Sequence, residues 1–193
     1  MKTVLIDYGA GNIQSVKYAL NRLGIEPILT KDHDIIKSAD KVIFPGVGAA
    51  NAAMRQLKAS GLDKLIPTLT QPVLGICVGM QLMCKKSKEG DVDCLGIINV
   101  EVEKFKKGLK IPHMGWNNLK DIKSNLFNTN HNAEQMYFVH SYYVPVNEHT
   151  IATTDYGVPF SAAIQKDNFY AVQFHTEKSG DIGEEILKNF LEL

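Results

Sequence analysis

The first half of the chain alternates short apolar runs with stretches of helical period, and this alternation restricts the fold more than any other feature. TVLID is followed by NIQSVKYALNRLG, then by EPILT, DHDIIKSA and KVIFPG. Runs rich in β-branched residues separated by amphipathic stretches read as βαβαβ, hence as a parallel sheet covered by helices. Val16, Ala19, Leu20 and Leu23 share one helical face, and Gly24 is the expected stop. A second helix is expected over 49–60, before Gly61. PVLGI then has the unbroken apolarity of a strand buried on both sides, and VGMQLMCKKS after it has helical composition. From Leu95 onward the pattern turns to strands: GIINVEVEKF, IPHMGWNNL, MYFVHSYYV, TIATTDYG, FSAAIQ and FYAVQF. Only GDIGEEILKNFLEL is helical again. No repeat, low-complexity tract or linker interrupts the chain. The expected fold is one α/β domain over 1–193, with a central, mostly parallel sheet flanked by helices and additional antiparallel strands from the second half.

At 193 residues such a domain buries a core without staples. Its 21 basic and 21 acidic residues balance, so no long-range field favours nucleic acid or an anionic membrane, and any charged ligand must be met locally. No apolar run approaches the roughly 18 residues that a membrane span requires. MKTVLIDYG runs straight into a strand pattern without a basic leader, so a cytoplasmic protein is expected. Cys77, Cys84 and Cys94 are odd in number and form no CxxC pair, which argues for free thiols rather than disulfides or a zinc knuckle. Neither a metal nor a cofactor is expected.

GICVGMQ places Cys77 between two glycines, on the turn from an apolar strand into a helical stretch. Ligands of open α/β sheets bind beyond the carboxyl ends of the strands, where this turn falls. A thiol is only a few per cent ionised at neutral pH, so a nucleophilic cysteine needs a base or a local positive field. A sharp turn exposes the sulfur, Gly75 and Gly79 admit close backbone approach, and the N–H of Val78 points toward an oxyanion. The competing reading is a small core hydrophobe, the common state of an isolated cysteine.

His175 and Glu177, in FYAVQFHTEKSG, follow another apolar strand and belong at the same edge. At i and i+2 of an extended segment both side chains project to one side, which suits a carboxylate orienting an imidazole. His-x-Glu also occurs in zinc deaminases, but the PCxxC partner of that chemistry is missing. His140 ends a strand too, without a carboxylate two residues away, and ranks below His175. His113, His33, His131 and His149 read as structural or solvated, Cys84 as core on the helix after Cys77. DYGAGNIQ begins a dinucleotide fingerprint at Gly9 and Gly11, with Asp32 at a ribose-contact distance, but Gln14 stands where the third glycine belongs. FPGVGAAN, after the third strand, brackets Val47 with glycines, and a backbone amide there can complete an oxyanion hole with Val78.

PGVG, GICVGMQ and QFHTEKS, in that order and spacing, resemble the class I glutamine amidotransferases, and the resemblance covers the whole chain. IDYGAGNIQS, PHMGWN and YFVHSYY narrow it to the glutaminase subunits of imidazole glycerol phosphate synthase, which serve histidine biosynthesis. The resemblance implies a flavodoxin-like amidotransferase domain in which Cys77 attacks the glutamine side-chain amide, His175 shuttles the proton and Glu177 orients His175. It implies an oxyanion site at Val47, Gly48 and Val78. Gln81, Glu89, Ser141 and Tyr142 match positions that hold the substrate glutamine, and a carboxylate at Glu89 suits the α-ammonium group.

The same resemblance implies a (β/α)₈-barrel cyclase partner that receives the ammonia and makes imidazole glycerol phosphate and AICAR. Asn12, Trp116, Tyr137 and Lys178 match positions at or near that subunit interface. In the family, partner and ligand together switch on hydrolysis, and a PGVG segment that reorients would supply such a switch. Rival readings are the same chemistry serving a paralogous synthase of sugar biosynthesis, a non-catalytic regulatory module, and a flavodoxin-like nucleotide binder. An intact Cys77, His175 and Glu177 argues against the module, and the incomplete glycine fingerprint against the nucleotide binder.

Overall fold

The computed structural model describes residues 1–9, 12–106, 108–127 and 134–193. Gly11 and His131 lie outside the described residues. The chain begins with β1 (Thr3–Ile6), α1 (Ile13–Arg22), β2 (Ile28–Thr30), α2 (His33–Lys37), β3 (Lys41–Gly46), α3 (Ala50–Ser60) and a short α4 (Leu62–Leu65). β4 (Val73–Cys77) then leads directly into α5 (Val78–Met83), followed by β5 (Cys84–Ser87), β6 (Val92–Asp93) and β7 (Ile98–Lys104). β8 (His113–Asn118), β9 (Gln135–His140), β10 (Tyr142–Tyr143), β11 (Thr150–Asp155), β12 (Pro159–Lys166), β13 (Phe169–Val172) and α6 (Gly180–Glu192) complete it.

The main sheet has the order β11-β12-β13-β4-β3-β1-β2. β13, β4, β3, β1 and β2 are mutually parallel, and β12 and β11 extend the sheet antiparallel. Every residue of β1, β3 and β4 is buried, which is why these strands read as unbroken apolar runs rather than alternating ones. The chain runs from β1 out to β2 and returns to β3 on the other side of β1. Such a reversal opens a crevice beyond the carboxyl ends of the strands. The remaining strands form a second sheet, β10-β7-β5-β6, and the antiparallel pair β8-β9.

One segment departs from its helical composition. VGMQLMCKKS is helical only through Met83, after which Cys84 adopts φ −70°, ψ 173° and opens β5. β5 pairs antiparallel with β6 just after it and parallel with β7, and these strand contacts override the local helical propensity. Cys84 is buried as expected, on a strand rather than on a helix. No helix among the described residues is long and apolar enough to cross a membrane.

Candidate active site

Cys77 ends β4 and caps α5 with φ 55° and ψ −111°, a backbone conformation that costs a non-glycine residue about 1–3 kcal/mol. The surrounding structure fixes that turn. A methyl group on Gly46 would meet the Gly79 nitrogen at 2.7 Å, and one on Gly75 would meet Ala171 Cβ at 3.1 Å and Met83 Cε at 3.0 Å. The glycines therefore let α5 sit directly against the ends of β3, β4 and β13 and hold the sulfur at the sheet edge. In the parallel register Gly46 pairs with Cys77, so the PGVG segment leaves β3 beside the cysteine.

β13 carries the second group to the same edge. His175 follows it in extended conformation, and Glu177 lies in a 3-10 turn over Thr176–Lys178. The expectation of an i, i+2 pair along one extended segment is thus corrected: the turn brings the carboxylate back under the ring. His175 Nδ1 donates to Glu177 Oε1 at 2.7 Å, and Asn12 Nδ2 donates to the same oxygen at 2.6 Å. The Glu177 side chain is fully buried, and among the described residues its Oε2 has no hydrogen-bond partner. The His175 backbone is pinned at both ends, its N–H donating to the Tyr137 carbonyl at 2.9 Å and its carbonyl accepting from Ser179 Oγ at 2.6 Å.

Burial opposes charge on the His175 ring, but hydrogen bonds to Cys77 and Glu177 outweigh it and raise the pKa to about 10. The ring is therefore an imidazolium at neutral pH, the local positive field that a thiolate nucleophile needs. His140 behaves in the opposite way. Burial, aided by repulsion from His113 and His175 and opposed by the Tyr142 carbonyl, lowers it to about 3, so it stays neutral and unsuited to take and return protons near pH 7. His113, stacked on Tyr156 and hydrogen-bonded to His140 at 3.0 Å, is lowered by burial to about 4.

A cleft of about 450 Å³ opens over Cys77 and His175. Val47, Gly48 and Val78 line it, as do Gln81, Glu89, Ser141 and Tyr142. Asn12 and Lys178, expected at a partner interface, line the same cleft, while Trp116 and Tyr137 form an edge-to-face pair outside it, with Trp116 53% exposed. Glu89 has an additional contact that its sequence position did not suggest. Its Oε2 accepts from the Ala50 N–H at 2.8 Å and so caps α3, whose own N-cap residue, Ala49, has no side chain for the purpose. Asp32 likewise is a helix cap, accepting from Asp34 N and Ile35 N at the start of α2, which accounts for it without a ribose.

Sequence reasoning passed over Pro112 and Val139 in the cleft wall and Gln173 beneath it. Neither a strand period nor a turn signal distinguishes them. The QF preceding His175 was the one available pointer, and it read as the end of an apolar strand.

Comparison with known proteins places the chain among proteins of one kind. The family model of "Glutamine amidotransferase class-I" matches residues 4–193. The protein named imidazole glycerol phosphate synthase subunit HisH of Bacteroides fragilis strain YCH46 is 61% identical, with 100% of both chains covered. Its namesake in Escherichia coli strain K12 is 52% identical, again over 100% of each chain. A crystal structure of a glutamine amidotransferase superposes with a TM-score of 0.78 at 18% identity, covering 100% of this chain and 98% of the other, a likeness of fold.

Proposed function

The chain belongs to the class I glutamine amidotransferase family, and from that premise we propose that it is the glutaminase subunit of an imidazole glycerol phosphate synthase, releasing ammonia from glutamine for histidine biosynthesis. The observation that carries the chemistry is Cys77 on its strained turn, lining one cleft together with His175, whose ring Glu177 holds at 2.7 Å. The relatives named as synthase subunits carry the pathway assignment.

In this reading the Cys77 thiolate attacks the side-chain carbonyl carbon of glutamine, and the carbonyl oxygen takes the negative charge. Backbone amides at Val47, Gly48 and Val78 are the donors that receive it. Losing one such donor costs about 2.7–4 kcal/mol of barrier, so a 47–48 peptide turned away keeps the enzyme slow until a partner turns it back. His175, through the nitrogen not engaged by Glu177, passes its proton to the departing ammonia, leaving a γ-glutamyl thioester on Cys77. The neutral ring then takes a proton from water, the hydroxyl oxygen attacks the thioester, and glutamate leaves as the thiolate returns.

Glu89 offers a carboxylate to the substrate α-ammonium, and Gln81, Ser141 and Tyr142 border the same space. The proposed partner is a (β/α)₈-barrel cyclase subunit, which joins the ammonia to its phosphoribulosyl ligand to give imidazole glycerol phosphate and AICAR. Asn12, Trp116, Tyr137 and Lys178 face it, and free thiols suit a cytoplasmic setting. The test is glutamate release by the chain alone, then with the cyclase and its ligand. Strong activation by both together supports the reading. A chain that hydrolyses glutamine indifferently to that cyclase retains the chemistry and loses the pathway.

A further inference from the structure

Gln173 is fully buried between β13 and His175, and the proposed mechanism gives it no task. Its Nε2 lies 3.8 Å from Cys77 Sγ, within reach of an N–H···S hydrogen bond, and its Oε1 lies 2.9 Å from Gln81 Nε2. The orientation of both amides follows from a chain of donors. The Tyr142 carbonyl can only accept, and it is approached by His140 Nδ1 at 2.7 Å and by Gln81 Nε2 at 2.8 Å. Gln81 therefore spends its two amide hydrogens on Tyr142 and Gln173. That fixes the Gln173 oxygen toward Gln81 and its N–H toward the sulfur.

The chain extends outward with the same polarity. Because His140 donates through Nδ1, its Nε2 accepts from His113 Nδ1, whose other nitrogen faces Asn117 Nδ2 at 3.3 Å. Both rings stay neutral, so the donor order does not reverse with pH in the working range. The sulfur also lies 3.9 Å from the Val139 carbonyl oxygen. A carbonyl oxygen favours the thiol, which can donate to it, whereas an amide N–H favours the thiolate.

We propose that Gln173 is a further catalytic residue of this site, its side-chain amide donating to the Cys77 thiolate in an orientation set by Gln81 and the Tyr142 carbonyl. The proposal rests on the glutaminase reading and deepens it.

The test is the rate of Cys77 alkylation by iodoacetamide as a function of pH, which needs neither glutamine nor the partner. Cys77→Ala identifies the signal from Cys77. Gln173→Met keeps the volume and removes the donor, and Gln173→Asn withdraws the amide by one methylene. The titratable groups that face the sulfur, His175 and Tyr8, remain in every Gln173 variant. A hydrogen bond to a charged acceptor predicts alkylation at pH 7 roughly tenfold slower in Gln173→Met, with the deficit closing at alkaline pH. Gln173→Asn should fall in the same direction, and it carries the test if the methionine variant does not fold. Equal rates across pH in a folded variant would overturn the proposal, as would a deficit that persists at every pH, which signals a merely misplaced sulfur. A wild-type Cys77 that is unreactive throughout neutral pH would instead bring down the glutaminase reading itself.

Discussion

A single methyl group at Gly79 tests whether the glycines around the nucleophile are there for packing. Gly79 lies in the first turn of α5, where alanine by itself would favour the helix by roughly 0.5–1 kcal/mol. The packing reverses that sign. The added Cβ would press on the Phe44 carbonyl oxygen at less than the 3.0 Å that real side chains keep, and would lie 3.6 Å from the Phe44 ring. Phe44 is fully buried within β3, so its carbonyl has nowhere to swing and α5 must lift from the sheet. Overpacking of this kind costs about 1–3 kcal/mol, and a clash with backbone rather than with a flexible side-chain tip puts Gly79 in the upper half of that range, so a net loss of roughly 1–2.5 kcal/mol remains after the helical gain. For a domain of this size that lowers Tm by roughly 2–10 °C. The displacement also draws Cys77 and Val78 away from Gly46, so glutamate release at a temperature where the variant is fully folded should fall as well. Urea unfolding and a glutaminase assay on Gly79→Ala measure both effects. A variant as stable as the parent with full turnover would refute the packing argument.

Three further outcomes follow from the same geometry. Gly183→Ala places a methyl against the Thr176 carbonyl and Ser179 Cβ, and so should push the turn bearing Glu177 out of place; glutaminase kcat should drop more than KM rises, and unchanged kcat would show that the turn is not set by α6. His175 should titrate by NMR near pH 10 in the free chain and well below that in Cys77→Ala, which lacks the sulfur's share of the upward shift. The folded value is raised above the ordinary 6.5, so the stabilisation from this ring is complete below about pH 6.5 and is lost as pH climbs through about 10; a ring that loses its proton near 6.5 in the intact chain contradicts the pairing. Glu89→Gln keeps an acceptor for the Ala50 N–H and should raise KM for glutamine with little loss of stability, whereas Glu89→Ala should raise KM and cost about 1 kcal/mol of unfolding free energy as well. Equal stability of the two variants would mean that the cap contributes nothing.

Much of the architecture was legible because buried parallel strands and amphipathic helices leave local signals. TVLI, KVIFPG and VLGIC appear as strands close to where their apolar runs lie, and the second-half runs appear as the strands that extend and flank the main sheet. The end of α5 was not legible, since MCKKS keeps helical composition while β6 and β7 recruit it into a sheet. For the site, glycines beside a cysteine and His-x-Glu after an apolar strand pointed to groups that the fold brings to one edge. The route differed, with a 3-10 turn doing what an extended segment was expected to do. Contacts between residues remote in sequence had no signal at all. Asn12 meets Glu177 across 165 positions and Gln81 meets Gln173 across 92, and buried glutamines carry no period that reveals a partner.

The most direct test of the account is peptide mapping by mass spectrometry of the enzyme, with its cyclase and ligand, acid-quenched during glutamine turnover. A γ-glutamyl adduct on the peptide containing Cys77, absent from Cys77→Ala, is the expected result. Glutamate release that continues in Cys77→Ala, or an adduct carried by another residue, would contradict it.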